Sequence, residues 1–231
     1  MNTHLLPSTS WLKAPAHTAW RLAEAQRLLA FAKAAKRPDG FGNLDAKGQL
    51  AAGARAETMN TARMTHCFAL AHLQGIPGCL AYAEHGVAAL RGAMQDASYG
   101  GWFAHPDGQQ DSGKAAYLHA FVALAASSAV VAGAASARGL LADATEVIER
   151  HFWSEAEGAL QEAYSRAWQL PEPYRGANSN MHATEAFLAL ADVTGNTLWL
   201  QRALRIAERI IHTHAAGSGY RVIEHFDVHW Q

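Results

Sequence analysis

Four segments of this chain place glycine ahead of a short run suited to an extended conformation. They are Gly40-Phe41-Gly42-Asn43-Leu44-Asp45, Gly100-Gly101-Trp102-Phe103, Gly158-Ala159-Leu160-Gln161 and Gly219-Tyr220-Arg221-Val222. They recur about every 60 residues, slightly longer than the common solenoid periods. Between them the apolar residues keep helical spacing. Helices are expected over Thr18–Lys36, Glu57–Leu73, Cys79–Met94, Gly113–Val131, Ala134–Phe152, Asn180–Val193 and Thr197–His214. Short turns at Gly75 to Gly78, Gly133 and Gly195 join the later ones into hairpins. The chain therefore reads as about three and a half copies of a helix–helix–loop unit. Such hairpins stack as an open solenoid or curl into a closed α/α toroid. A solenoid needs polar capping helices, and none is written here. The expectation is an all-α single domain over residues 1–231, of toroid type, that ends straight after a loop with no closing helix.

Composition narrows the function classes. A net charge of -1 excludes the basic footprint of a nucleic-acid binder and the polybasic patch of a membrane-surface protein. A 50% hydrophobic, near-neutral chain is also unlike a disordered one. The most apolar stretch, Ala120 to Ala135, contains Ser127 and Ser128 and falls short of the roughly 20 residues of a membrane span. It reads as a helix buried on both sides. Pro7, Ser8, Ser10 and Trp11 stand where a signal peptide needs an apolar run. Cys67 and Cys79 cannot build a disulfide framework, so a reducing, cytoplasmic location is expected.

The chemistry-bearing residues gather in a few places. The densest is Tyr174 to Glu185, where a glycine-bearing loop leads into a helix. Asn180 is the expected N-cap there. His182 and Glu185 are three apart and share a helix face. A histidine held by polar neighbours can act as acid or base near neutral pH. The spacing also fits a plainer reading, in which the asparagines cap the helix and His182 is a hydrogen-bonded core residue. Arg63-Met64-Thr65-His66 interrupts an apolar helix, either as a functional cation or as a surface or ion-paired arginine. Tyr117 and His119 are two apart, so one is expected to face a cavity and the other the packing. His-Glu-x-x-His, Cys-x-x-Cys, phosphate-loop and Gly-x-Ser-x-Gly patterns are missing, so neither a metal nor a nucleotide is expected.

Taken in order, these motifs resemble one family. Arg63 to His66, Gly100-Gly101-Trp102, Lys114 to Phe121, Tyr174 to Phe187 and Glu224-His225-Phe226 follow the pattern of the N-acylglucosamine 2-epimerase family, mannose isomerase branch. The resemblance runs from about Trp11 to the last residue. It implies an (α/α)6 barrel, here an incomplete one, and cofactor-free, metal-free aldose–ketose isomerisation or 2-epimerisation through a cis-enediol. It implies a monosaccharide or small sugar as substrate. Carried over position by position, His182 is the acid/base near the reacting end of the sugar. Arg63, Tyr117, Asn178 and Glu185 are the substrate-binding residues. The family also has a later Gly-His-x-x-Glu-Trp segment and a further histidine, and this chain ends before both.

Two expectations follow, and a third reading stands beside them. The first is a truncated isomerase with little activity alone. The second is a non-catalytic half-toroid that self-associates or takes up a separately supplied C-terminal half, since exposed apolar helix faces mark partner surfaces. The third is an (α/α)6 glycoside hydrolase, with Asp45, Asp111, Glu185 and Glu224 as its carboxylates.

Overall fold

Residues 10–106, 113–169 and 171–231 are described by a computed structural model of the chain. Asp111, Pro7 and Ser8 lie outside the described residues. The helices are α1 (Pro15–Ala32), α2 (Thr58–Leu73), α3 (Cys79–Leu90), α4 (Ala116–Val131), α5 (Ala137–Val147), α6 (Ala177–Thr194) and α7 (Thr197–Ala207). The last two outer helices run on through wider-wound π turns, α5 over Ile148–Phe152 and α7 over Glu208–Ala215. These turns account for the longer helices expected from periodicity.

Three hairpins follow α1. In each, the outer helix folds back on the inner one, α3 on α2, α5 on α4 and α7 on α6. The inner helices lie side by side with α4 in the middle. This position explains the sequence of α4. Every residue from Leu118 to Ala129 is buried, and its many alanines let helices approach from all sides. A second, smaller core joins Phe41, Phe68, Cys79 and Ala83 between α2, α3 and the segment after α1. Crossing distance is set by Gly86, where a Cβ would fall 1.8 Å from the Thr65 hydroxyl oxygen. Any side chain there would push α3 off α2.

Among the described residues, eight two-residue strands lie in the longer connections. They are β1 (Lys36–Arg37), β2 (Gly40–Phe41), β3 (Lys114–Ala115), β4 (Trp153–Ser154), β5 (Ala159–Leu160), β6 (Ala163–Tyr164), β7 (Arg175–Gly176) and β8 (His225–Phe226). All four pairs are antiparallel: β1–β2, β3–β6, β4–β5 and β7–β8. Three of the four expected extended runs coincide with pairing, at β2, at Trp102 opposite Gln95, and at β5. The fourth does not. Gly219 and Tyr220 have φ of 65° and 62°, the left-handed geometry that ends a helix and cannot enter a ladder. Pairing starts later, at His225.

Asn180 also departs from expectation. The helix begins at Ala177, three residues earlier, with Gly176 as its N-cap. Asn180 is buried inside α6. Its Nδ2 donates to the Gly176 carbonyl at 2.9 Å, and its Oδ1 accepts from Leu160 N–H at 2.9 Å. It therefore ties β5 to the first turn of α6. A β-ladder residue would otherwise lose its partner. Among the described residues no helix is long and apolar enough to cross a membrane, and both cysteines are free.

Candidate functional site

The three inner helices present one continuous polar and aromatic surface. Its middle is built on Phe121 of α4. The Arg63 guanidinium of α2 lies 4.3 Å from the centre of the Phe121 ring, and the His182 ring of α6 lies 4.5 Å from it. Tyr117, one turn before Phe121, stands edge-on to His182 at 5.2 Å. Its hydroxyl accepts from Arg63 Nη2 at 3.0 Å and donates to the Met59 sulfur at 3.1 Å. Helical spacing on each strip produces this meeting: Met59 and Arg63 on α2, Tyr117 and Phe121 on α4, His182 and Glu185 on α6.

His182 and Glu185 do share a face, with Nδ1 3.3 Å from a Glu185 carboxylate oxygen. If Nδ1 carries the proton, Nε2 is left with its lone pair. Nε2 has no hydrogen-bond partner among the described residues. Arg63 is exposed and has no carboxylate within ion-pair distance among the described residues. An unneutralised cation and a histidine with an unengaged nitrogen thus both stand against one ring. This arrangement can take up a proton and stabilise negative charge on a nearby oxygen.

The other prominent histidine of the inner helices is fully engaged. His119 is buried, its Nδ1 donating to the Ala115 carbonyl at 2.7 Å and its Nε2 accepting from Trp102 N–H at 3.1 Å. Burial pushes its pKa down to about 3; the Ala115 bond opposes this and the Lys114 charge adds to it. Gly101 has φ of 71°, and a Cβ there would fall 2.7 Å from His119 Nε2, so glycine is what lets the loop reach this ring. Beside it Asp96 takes Lys114 Nζ at 3.0 Å and Arg166 Nε at 2.8 Å. Burial alone would raise the Asp96 carboxyl. The hydrogen bonds from Arg166, Lys114 and Ser98 N–H outweigh it and hold the group well below the usual carboxylate range. Tyr117 therefore faces the open surface and His119 the packing, as their spacing requires.

Asn178 stands apart from the ring cluster. It is exposed, one turn before His182, and lines a groove with Met181, Thr184, Ile206, Ile210 and Glu224. Of the carboxylates considered for a hydrolase, Asp111 lies outside the described residues and the other three have separate partners. Asp45 accepts the Lys47 and Gln49 amides of its own turn, Glu185 pairs with His182, and Glu224 sits in that groove. A half-buried carboxylate that sequence alone did not single out, Glu162, accepts from the Ser179 hydroxyl and Gly176 N–H under the start of α6. Burial pushes it up, against the effect of those two bonds. The Tyr174 hydroxyl lies 2.7 Å from His225 Nδ1. No group of His, Cys, Asp and Glu among the described residues could hold a metal ion.

The main omission from the sequence reading is Phe121. Its spacing of four from Tyr117 was the available signal, but an apolar residue in an apolar helix gives no hint that it carries two polar groups.

Comparison with known proteins gives a consistent result. A family model described as N-acylglucosamine 2-epimerase (GlcNAc 2-epimerase) matches residues 40–231. A D-mannose isomerase of Pseudomonas cannabina pv. alisalensis is 61% identical over 226 residues, 96% of this chain and 54% of its own. A D-mannose isomerase of Thermobifida fusca is 50% identical over 227 residues, 96% of this chain and 56% of its own. A crystal structure of D-mannose isomerase superposes with a TM-score of 0.85 at 29% identity, over 92% of this chain and 56% of that one. The chain spans about half the length of the curated relatives it matches.

Proposed function

Because the chain belongs to the N-acylglucosamine 2-epimerase family, we propose that its inner-helix surface is one wall of a sugar isomerase site. The architecture proposed for it is an arc of an (α/α)6 barrel, and the substrate proposed is D-mannose in its open-chain form. The observation that carries this reading is the unengaged Nε2 of His182, set with Arg63 about the Phe121 ring.

In the proposed reaction, His182 Nε2 removes the proton from C2. The C2–H electron pair becomes the C1=C2 double bond, and the carbonyl electrons move onto O1. Arg63 faces that developing negative charge. O1 then takes up a proton, the O2 hydroxyl gives one up, and its electrons form the C2 carbonyl. The enediol electrons accept the proton at C1 from the imidazolium, giving D-fructose with no net gain or loss of atoms. Return of the proton to C2 from the opposite face would give the 2-epimer instead. Glu185 holds Nδ1–H, so that the free lone pair stays on Nε2. Tyr117 orients Arg63, and Asn178, one turn back, takes the hydroxyls at the far end of the sugar.

This wall offers one imidazole of the proton-transferring pair implied by the family resemblance. The 231-residue chain alone is therefore expected to turn over little sugar. The test is D-fructose formation from D-mannose by the purified chain, alone and mixed with the C-terminal remainder of the Pseudomonas relative. Turnover that rises on mixing and is lost in His182→Gln supports the reading. Turnover in His182→Gln equal to that of the parent overturns it.

A further inference from the structure

Below the Phe121 level the same surface carries a second imidazole, His66, one turn along α2 from Arg63. His66 Nδ1 lies 2.6 Å from the Ser128 hydroxyl oxygen of α4. That hydroxyl donates its single proton to the Leu124 carbonyl at 3.1 Å. With its proton directed there it accepts from His66, which puts the ring proton on Nδ1 and leaves the lone pair on Nε2. Nε2 has no partner among the described residues and is not sealed from solvent. Arg63 lies one turn before it on its own helix, the Glu185 carboxylate of α6 acts on its charge, and Ser128 is the polar group facing it from α4. Resting on the reading of the site given above, we propose that His66 is a further sugar-contacting residue. Ser128 anchors it so that Nε2 accepts a hydrogen bond from a substrate hydroxyl.

The surroundings support a neutral acceptor. Burial pushes the His66 pKa down, and the charge of Glu185 only partly offsets this. At neutral pH the ring is uncharged and can accept a hydroxyl proton without competing with Arg63 for anionic oxygen. His182 resembles it in that Nδ1 is held and Nε2 is free. The two rings thus each leave one nitrogen unengaged, one on α2 and one on α6.

Ring-nitrogen NMR of the 231-residue chain tests this, with signals assigned through His66→Gln and His182→Gln. Before sugar is added, His66 is expected as the Nδ1–H tautomer, protonating below the ordinary histidine range and at lower pH still in Glu185→Gln. An Nε2–H tautomer overturns the inference. D-mannose is then titrated in. Shifts at both His66 and His182, with His66→Gln weakening the affinity about threefold to tenfold, as loss of one hydrogen bond would, support it. A shift at His182 with none at His66 overturns the inference and leaves the proposed function standing. A shift at neither ring counts against both.

Discussion

His119 and His182 stand on neighbouring inner helices, and their surroundings are opposite. Both nitrogens of His119 are bonded to backbone groups, and the ring is buried beside the Asp96, Lys114 and Arg166 cluster. His182 has one nitrogen near a carboxylate and the other unengaged, next to a cation with no counter-charge among the described residues. Residue type is the same and helix context is similar. What separates a structural histidine from one able to move a proton is whether its second nitrogen is already spent. The same contrast divides the two asparagines of the densest motif, since Asn180 is buried and doubly bonded while Asn178 is exposed.

Substitutions that break the contrast should separate stability from function. The largest effect is expected from Lys114→Met. Lys114 and Asp96 are 0% and 1% exposed, and leaving a buried carboxylate without one of its cations costs about 3–5 kcal/mol. Thermal unfolding of the variant should fall steeply. Arg63→Met should move stability by no more than about 0.5 kcal/mol while removing sugar binding. Next in size is Asn180→Ala, which orphans Leu160 N–H and should cost about 1–3 kcal/mol in denaturant unfolding. Asn178→Ala should leave the midpoint unchanged.

The pH dependence sharpens the comparison further. His119 is held near 3 when folded and returns to about 6.5 when unfolded. Its contribution is complete above about 6.5 and is lost as pH falls toward 3, because only the unfolded chain binds the proton. The slope from this one residue is at most about 1.4 kcal/mol per pH unit. Unfolding free energies measured across that window should show it, and His119→Gln should flatten it. The smallest effect is expected from Tyr117→Phe. Its bond to exposed Arg63 should be worth no more than about 0.5 kcal/mol of stability, with weaker mannose binding as the clearer readout.

The sequence made the hairpin order and the face shared by His182 and Glu185 legible, because both depend on local periodicity. The all-round burial of α4 was legible for the same reason. The start of α6 was not. Asn180 looks like a cap until β5 is known to lie against it, which is a tertiary contact. The platform role of Phe121 and the Asp96–Lys114–Arg166 cluster were hidden for a related cause. Asp96 meets Arg166 across seventy residues, and no spacing rule reaches that far. The fourth glycine segment misled because glycine before an extended run also fits a left-handed helix end.

Solvent deuterium tests most directly whether His182 moves the sugar proton. The chain, complemented by the C-terminal remainder of the Pseudomonas relative, is incubated with D-mannose in deuterium oxide and the sugars are read by NMR. The account predicts that deuterium enters C2 of recovered mannose and C1 of fructose, and that both signals vanish in His182→Gln while the variant remains folded. Undiminished incorporation in His182→Gln would contradict it.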